Sequence, residues 1–428
     1  LSDACRNKQD IDWKKLLEFL LSYINRPEFW KGETLINAVQ KEVNYRHVLI
    51  YICNLLIKGS ENKEWAFKYN QYKKAKEILL IIFGEITDLE ENNLGDDSIS
   101  YFLNSVKGNA LEALLNMSVL SKNIGWKNTW DNDFKLLYNR YLERDVGEAY
   151  SLFGRELVRF LYLDRAWAID KINSVKIENE YWEIFFEGYI HFSGNISEDI
   201  YHLMKNHYEY AIEHTFKRKN MQRKIAYDIA LIHLNEYEQN TEKNLYQKVM
   251  NAWNHKLIEE IMFVFCRKTN YELNKYEKQR ILGFWNKIHQ KYKEYKPKEF
   301  NELDKDLISK TIFLIATLDD IDETNYELIS KAIPFVNNDF NQVIELLHKK
   351  IRENDSLNKR RLIGKLMKDL VRKLTSITYC PEEETKCLVE YLYRSEDNGL
   401  FELANWICNT FVKNEIDFLK DIYLENNK

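Results

Sequence analysis

Residues 362–374 read LIGKLMKDLVRKL, and this stretch decides the fold class. Leu362, Ile363, Leu366, Met367, Leu370, Val371 and Leu374 recur at steps of one, three and four, which gathers them on one face of a helix. Working outward, Tyr379, Cys380 and Pro381 break the pattern, and Leu388, Val389, Tyr391 and Leu392 begin the next helix. Asp397-Asn398-Gly399 supplies a further turn, after which Leu403, Ala404, Trp406, Ile407 and Phe411 face inward. Upstream, Thr324 with Glu327 fits a capping box ahead of Leu328, and Pro334 closes that helix.

The same grammar runs through the rest of the chain. Asp12 is placed to cap a helix carrying Trp13, Leu16, Leu17, Leu20, Leu21 and Ile24, with Pro27 as its stop. Apolar runs follow over 48–57, ending at Gly59, and over about 64–83, ending at Gly84; the polar stretch 85–98 reads as a loop. Helices are expected over 99–121, 134–142, 147–172, 181–192 and 200–216. Only 4 Pro and 13 Gly occur in 428 residues, too few for the turns of an all-β protein. The fold expected is all-α: an α-solenoid of stacked helical hairpins, with diverged tetratricopeptide- or HEAT-like repeats, since no fixed period of 33 to 47 residues stands out. It divides into an N-terminal helical segment (1–98), central repeats (99–320) and C-terminal repeats (321–428).

Net charge is −5, which lacks the basic excess of a nucleic-acid-binding domain. The six cysteines are scattered, and four lie inside apolar helical runs; they read as reduced thiols of a cytoplasmic protein. No apolar stretch is long enough for a membrane span, and none of the first ten residues suggests a signal peptide.

The motifs that carry chemistry are missing. Gly364-Lys365-Leu366 lies inside an amphipathic helix and lacks a phosphate loop's glycines. His202, His207 and His214 stand five and seven apart, not on one helical face. Cys380 and Cys387 form no CxxC pair, and Asp319, Asp320, Asp322 and Glu323 lack the glycine and distal Glu of a calcium loop; they suit a helix N-terminus instead. No catalytic, metal or cofactor residue is therefore assigned, and ATP and magnesium are expected only in an upstream domain of a longer protein.

Two basic clusters remain: Lys217, Arg218, Lys219, Arg223 and Lys224, and then Lys349, Lys350, Arg352, Lys359, Arg360, Arg361 and Lys365. Each is either a solvated helix face or a docking patch for an acidic protein surface or a nucleic-acid backbone. Lys217, Arg218, Lys219 and Arg223 are taken as partner-binding candidates. Trp126, Trp130 and Trp182 are candidate aromatic anchors, with a core role as the alternative for each.

Three strings carry a resemblance: Ser105-Val106-Lys107-Gly108-Asn109-Ala110-Leu111-Glu112-Ala113-Leu114, then Phe153-Gly154-Arg155-Glu156-Leu157, then Leu163-Asp164-Arg165-Ala166-Trp167-Ala168. With the helices around 366–392, they resemble the C-terminal helical-repeat sensor region of bacterial antiviral STAND-type NTPases, the Avs family, from about residue 99 onward. The resemblance implies a non-catalytic sensor that binds a phage protein, such as the large terminase subunit or the portal. Binding would activate an upstream ATPase and its N-terminal effector, with oligomerisation through those upstream domains. A chain starting at Leu1 rather than Met suits the recognition end of something larger. The alternatives are a general helical-repeat scaffold for protein partners and, against the charge balance, a nucleic-acid-binding helical array.

Overall fold

The computed structural model describes residues 11–30, 45–61, 66–86, 102, 104–127, 130–177, 179–192, 196–216, 218, 220–237, 244–268, 272–293, 299–336, 339–352, 355–374 and 380–428. Every regular element among them is helical, and none is a strand. The chain divides into two compact units, Leu1–Lys224 and Ile225–Lys428.

The first unit contains α1 (Trp13–Ile24), α2 (Pro27–Trp30), α3 (Tyr45–Glu61), α4 (Tyr69–Ile86), α5 (Val106–Asn123), α6 (Asn132–Glu143), α7 (Gly147–Arg155), α8 (Leu157–Leu163), α9 (Arg165–Ser174), α10 (Glu180–Phe192) and α11 (Glu198–Ala211). Asp12 caps α1 by accepting from the Lys15 amide, as its position suggests. Pro27 does not end α1; it opens α2, where its missing N–H costs nothing. Helix α5 is buried around most of its circumference, so α3, α4 and α7 can all pack on it. Its buried Asn109, Asn116 and Ser118 are satisfied by carbonyls one turn back, at 2.8, 2.9 and 2.7 Å.

The tightest packing in this unit joins α7 to α10. A Cβ added to Gly154 would stand 2.0 Å from the Phe185 carbonyl oxygen, and one added to Gly188 would stand 2.4 Å from that of Ser151. Only hydrogen fits on either side of this crossing. The single helix expected over 147–172 is three: the chain breaks at Glu156 and again at Asp164, whose carboxylate caps α9 through the Trp167 amide.

The second unit begins within α12 (Met221–Leu234) and continues through α13 (Leu245–Ala252), α14 (His255–Lys268), α15 (Lys275–Lys291) and α16 (Glu302–Lys310). A 3₁₀ segment, Thr311–Thr317, follows directly. Then come α17 (Glu323–Ala332), a 3₁₀ turn at Ile333–Phe335, α18 (Phe340–Ile351), α19 (Leu357–Val371), α20 (Glu382–Tyr393), α21 (Asn398–Lys413) and α22 (Lys420–Asn426). Helices here pack on those two further along: α15 on α17, α17 on α19, α19 on α21, and likewise α18 on α20 and α20 on α22. The stripe of α19 is buried as its spacing requires, and Gly364 lets Leu400 and Leu403 of α21 approach.

Some local expectations are corrected. The cap of α17 is Asp322 with Asn325, not Thr324 with Glu327, because the helix begins at Glu323. Helices α3 and α4 run through Gly59 and Gly84 to Glu61 and Ile86. Helix α11 stops at Ala211, short of Phe216. Asp397 caps α21 rather than sitting in a free turn. The loop placed at 87–98, the start of the helix placed at 99, and Tyr379 lie outside the described residues.

Candidate partner-docking cleft

The second unit carries an open apolar cleft of about 560 Å³. Helix α14 forms one wall. Leu257, Ile258, Ile261, Met262 and Phe265 turn inward, which leaves Phe263 on the outer face at 49% exposure. Helix α18 forms the other wall: Phe340, Val343, Ile344 and Leu347 are buried, while Leu346 is half-buried on the cleft side with Gln342, Glu345 and Lys349. The floor is the 3₁₀ segment. Ile312, Leu314 and Ile315 anchor it in the core, and Phe313 and Ala316 point into the cleft.

That floor is unusual. Runs of 3₁₀ helix beyond three or four residues are uncommon because their hydrogen bonds are poorly aligned, and this one has seven residues. Six of the seven, all but Ala316, are β-branched, aromatic or leucine. Thr311 and Thr317 donate their hydroxyls to the carbonyls of Ile308 and Leu314, each at 2.7 Å, which satisfies both buried side chains.

Charge frames the apolar floor. Lys310 pairs with Glu259 across the cleft mouth and with Asp306 at 2.7 Å. Burial opposes its charge, but the two carboxylates outweigh burial and raise its pKa. Glu345 and Lys349 stand four residues apart on α18, and neither is in an ion pair among the described residues. Arg267 lies over the Phe263 ring at 5.1 Å. Cys266 also lines the cleft; burial pushes its thiol up to about 12, which keeps it protonated and makes it a small hydrophobe. The arrangement can desolvate an apolar side chain and orient its bearer by charge.

Comparison with known protein families, with curated proteins and with solved structures finds no match. The site must be read from its own geometry.

The residues singled out from sequence lie elsewhere. Lys217 and Lys219 fall outside the described residues. Arg218 is half-buried and Arg223 is exposed, beside Lys224, which donates to the His191 carbonyl at 3.0 Å. Trp130 and Trp182 take the core role, at 4% and 1% exposure. Trp130 donates to Ser118 Oγ at 3.0 Å, and Trp182 donates to His207 Nδ1 at 3.0 Å. Trp126 is half-buried against Tyr69 and Tyr72.

The second basic cluster disperses over several faces. Lys350 is buried and donates to the Leu318 carbonyl, and Lys359 is buried on Asp320 at 2.6 Å. Arg360 is held by Asp355 and the Tyr391 ring, and Arg361 by Asp397 at 2.7 Å. The three neighbouring histidines also separate: His202 stands 3.7 Å from Glu198, His214 stands 3.3 Å from Glu183, and His207 is buried.

The cleft residues Phe263, Phe313 and Leu346 were missed from sequence because each belongs to an apolar run that reads as core. The available signal was Phe263, which falls between the inward positions Met262 and Val264 of an otherwise amphipathic helix.

Proposed function

We propose that this chain is a non-catalytic recognition module for a protein partner, built as a solenoid of diverged helical hairpins. The α14–α18 cleft is the observation that carries this reading. An apolar groove between helices, edged by the charges of Glu345 and Lys349, suits an amphipathic helix or an apolar loop anchor of another protein. A complementary partner places an aromatic or aliphatic side chain over Phe313 and Ala316. It sets a basic residue near Glu345 and an acidic one near Lys349. The packing of each helix on the one two further along supports the solenoid part of the proposal.

The sequence resemblance to the Avs sensor region gives the partner its class. In this reading the chain binds a phage protein, such as the large terminase subunit or the portal, inside the bacterial cytoplasm, and thereby switches on an ATPase and effector carried upstream. Neither catalysis nor a bound cofactor is assigned to the chain itself. A general scaffold for a cellular protein would use the same cleft and differs only in its partner. The scatter of the second basic cluster argues against a nucleic-acid array, since Lys350 and Lys359 are spent inside the fold.

Co-expression with a panel of phage packaging and structural proteins, followed by affinity capture, tests the proposal. Phe263→Asp should abolish capture while leaving the helical circular dichroism unchanged, because the side chain is half exposed. Capture of a phage protein equally well by the Phe263→Asp chain would remove the cleft from the reading. Capture of none would remove the phage partner.

A further inference from the structure

A second cleft in the same unit has a different chemistry. On α15, Tyr276, Gln279, Arg280, Gly283 and Lys287 follow at steps of three, one, three and four, so they share one face. Opposite stand His233 and Glu236, at and just beyond the end of α12, and Asn244, Tyr246 and Gln247, at the start of α13. Together they enclose about 360 Å³, within the size range of small-molecule sites.

Four observations converge there. The first is Gly283. A glycine in the middle of a helix costs about 1 kcal/mol relative to alanine, and a side chain here would meet nothing within 4 Å. Neither packing nor backbone conformation requires it; what it leaves is open space in the cleft. The second is Lys287. Its ammonium lies 4.8 Å from the Tyr246 ring, and among the described residues no carboxylate pairs with it. Burial alone pushes its pKa down, with no anion to compensate. The third is Arg280, fixed by the His233 carbonyl and by Glu236 at 2.7 Å, which adds a second cation at the same wall. The fourth is the first turn of α13. Asn244 caps it through the Gln247 amide at 2.6 Å, and Asn244, Tyr246 and Gln247 place this positive helix end at the cleft wall.

The floor is a ring stack and the mouth is aromatic. His233 and Tyr246 stack at 4.0 Å and 20°, and burial drives the His233 pKa down to about 4, so the imidazole is neutral and contributes no charge near neutral pH. Tyr276, 68% exposed, stands at the rim as a flat surface for an organic group. Among the described lining residues the one carboxylate, Glu236, is engaged by Arg280. The balance of the described lining residues is therefore cationic in a chain that is acidic overall.

We infer that this cleft binds a small organic phosphate. The phosphate group sits against Lys287 in the room left by Gly283, and the organic portion lies along Tyr276. A phosphate supplies the anion that Lys287 lacks and stands near the dipole of α13.

The test is calorimetric titration of the full chain with adenosine 5′-monophosphate and with inorganic phosphate, at matched ionic strength. Saturable binding of the nucleotide is expected, with inorganic phosphate weaker. Lys287→Met keeps the apolar stem over Tyr246 and should weaken nucleotide binding tenfold or more. Gly283→Leu should abolish binding while raising the melting temperature, which separates a filled cleft from a misfolded chain. Tyr276→Ala should weaken the nucleotide and leave inorganic phosphate unchanged. Absence of saturable binding by either probe, or parental affinity in Lys287→Met, would overturn the inference. Equal affinity for both probes would overturn the placement of the organic portion.

Discussion

Replacing Gly154 by alanine probes the helix crossing on which the first unit is organised. The new Cβ would lie 2.0 Å from the Phe185 carbonyl oxygen and 2.8 Å from the Tyr189 nitrogen. Both are backbone atoms of α10, so no side-chain rotation can relieve the clash, and α7 and α10 must separate by more than an ångström. That separation loosens the Phe153–Phe185 stack, now at 5.3 Å, and the aromatic group it joins with Phe160 and Trp167. Overpacking of this kind costs about 3 kcal/mol or more when the backbone must move. The better helix propensity of alanine returns about 1 kcal/mol. A net loss of about 2 kcal/mol or more corresponds to about 4–8 °C in melting temperature for a unit of this size. Urea denaturation followed by circular dichroism and by tryptophan fluorescence measures it. Gly188→Ala, whose Cβ would meet the Ser151 carbonyl at 2.4 Å, should behave alike. Because one separation relieves both clashes, the double variant should lose less than the sum of the two. Parental stability in Gly154→Ala would refute the close crossing, since alanine would then bring only its helical advantage.

Other perturbations bear on the buried charges and on acid stability. His207 accepts from Trp182 at Nδ1 and is buried, which lowers its pKa to about 4; its folded form is neutral. The unfolded chain binds a proton near pH 6.5, so this histidine costs stability as pH falls from 6.5 toward 4, on the order of 3 kcal/mol by pH 4. His207→Gln should flatten that part of the fluorescence-monitored stability profile, and an unchanged profile would count against the assignment. Asp355 behaves as the carboxylate counterpart: Arg360 holds its pKa down at about 2, so its contribution is present above pH 4 and fades as pH falls through 2. Lys359→Met leaves Asp320 without its partner at 2.6 Å and should lower the urea midpoint, by less than for a fully enclosed pair because Asp320 is 35% exposed; pairing it with Asp320→Asn should recover part. Ala316→Trp should fill the floor of the docking cleft and abolish partner capture without lowering the melting temperature.

Much of the helical architecture was legible because apolar periodicity records which face is buried. The stripe of α19, the capping of α1 by Asp12 and the extent of α10 follow from residues within one or two turns. The three strings behind the family resemblance occupy structural positions. Ser105 caps α5, Gly108 lies where a Cβ would meet the Phe102 carbonyl at 2.2 Å, Gly154 makes the α7–α10 crossing, and Asp164 caps α9. Periodicity failed over 147–172, where α7, α8 and α9 keep the same apolar rhythm because all three face one core.

Sequence by itself determined that the chain is helical, and it named most of the buried stripes, because those depend on spacing along one element. Tertiary structure alone decided which charges are solvated and which are enclosed. Lys350 and Lys359 read as members of a basic face, yet one ends on the Leu318 carbonyl and the other on Asp320. Lys287, unremarkable in sequence, meets no carboxylate among the described residues and lies over the Tyr246 ring. The partner of a long side chain is set by elements distant along the chain, and helical periodicity carries no record of them.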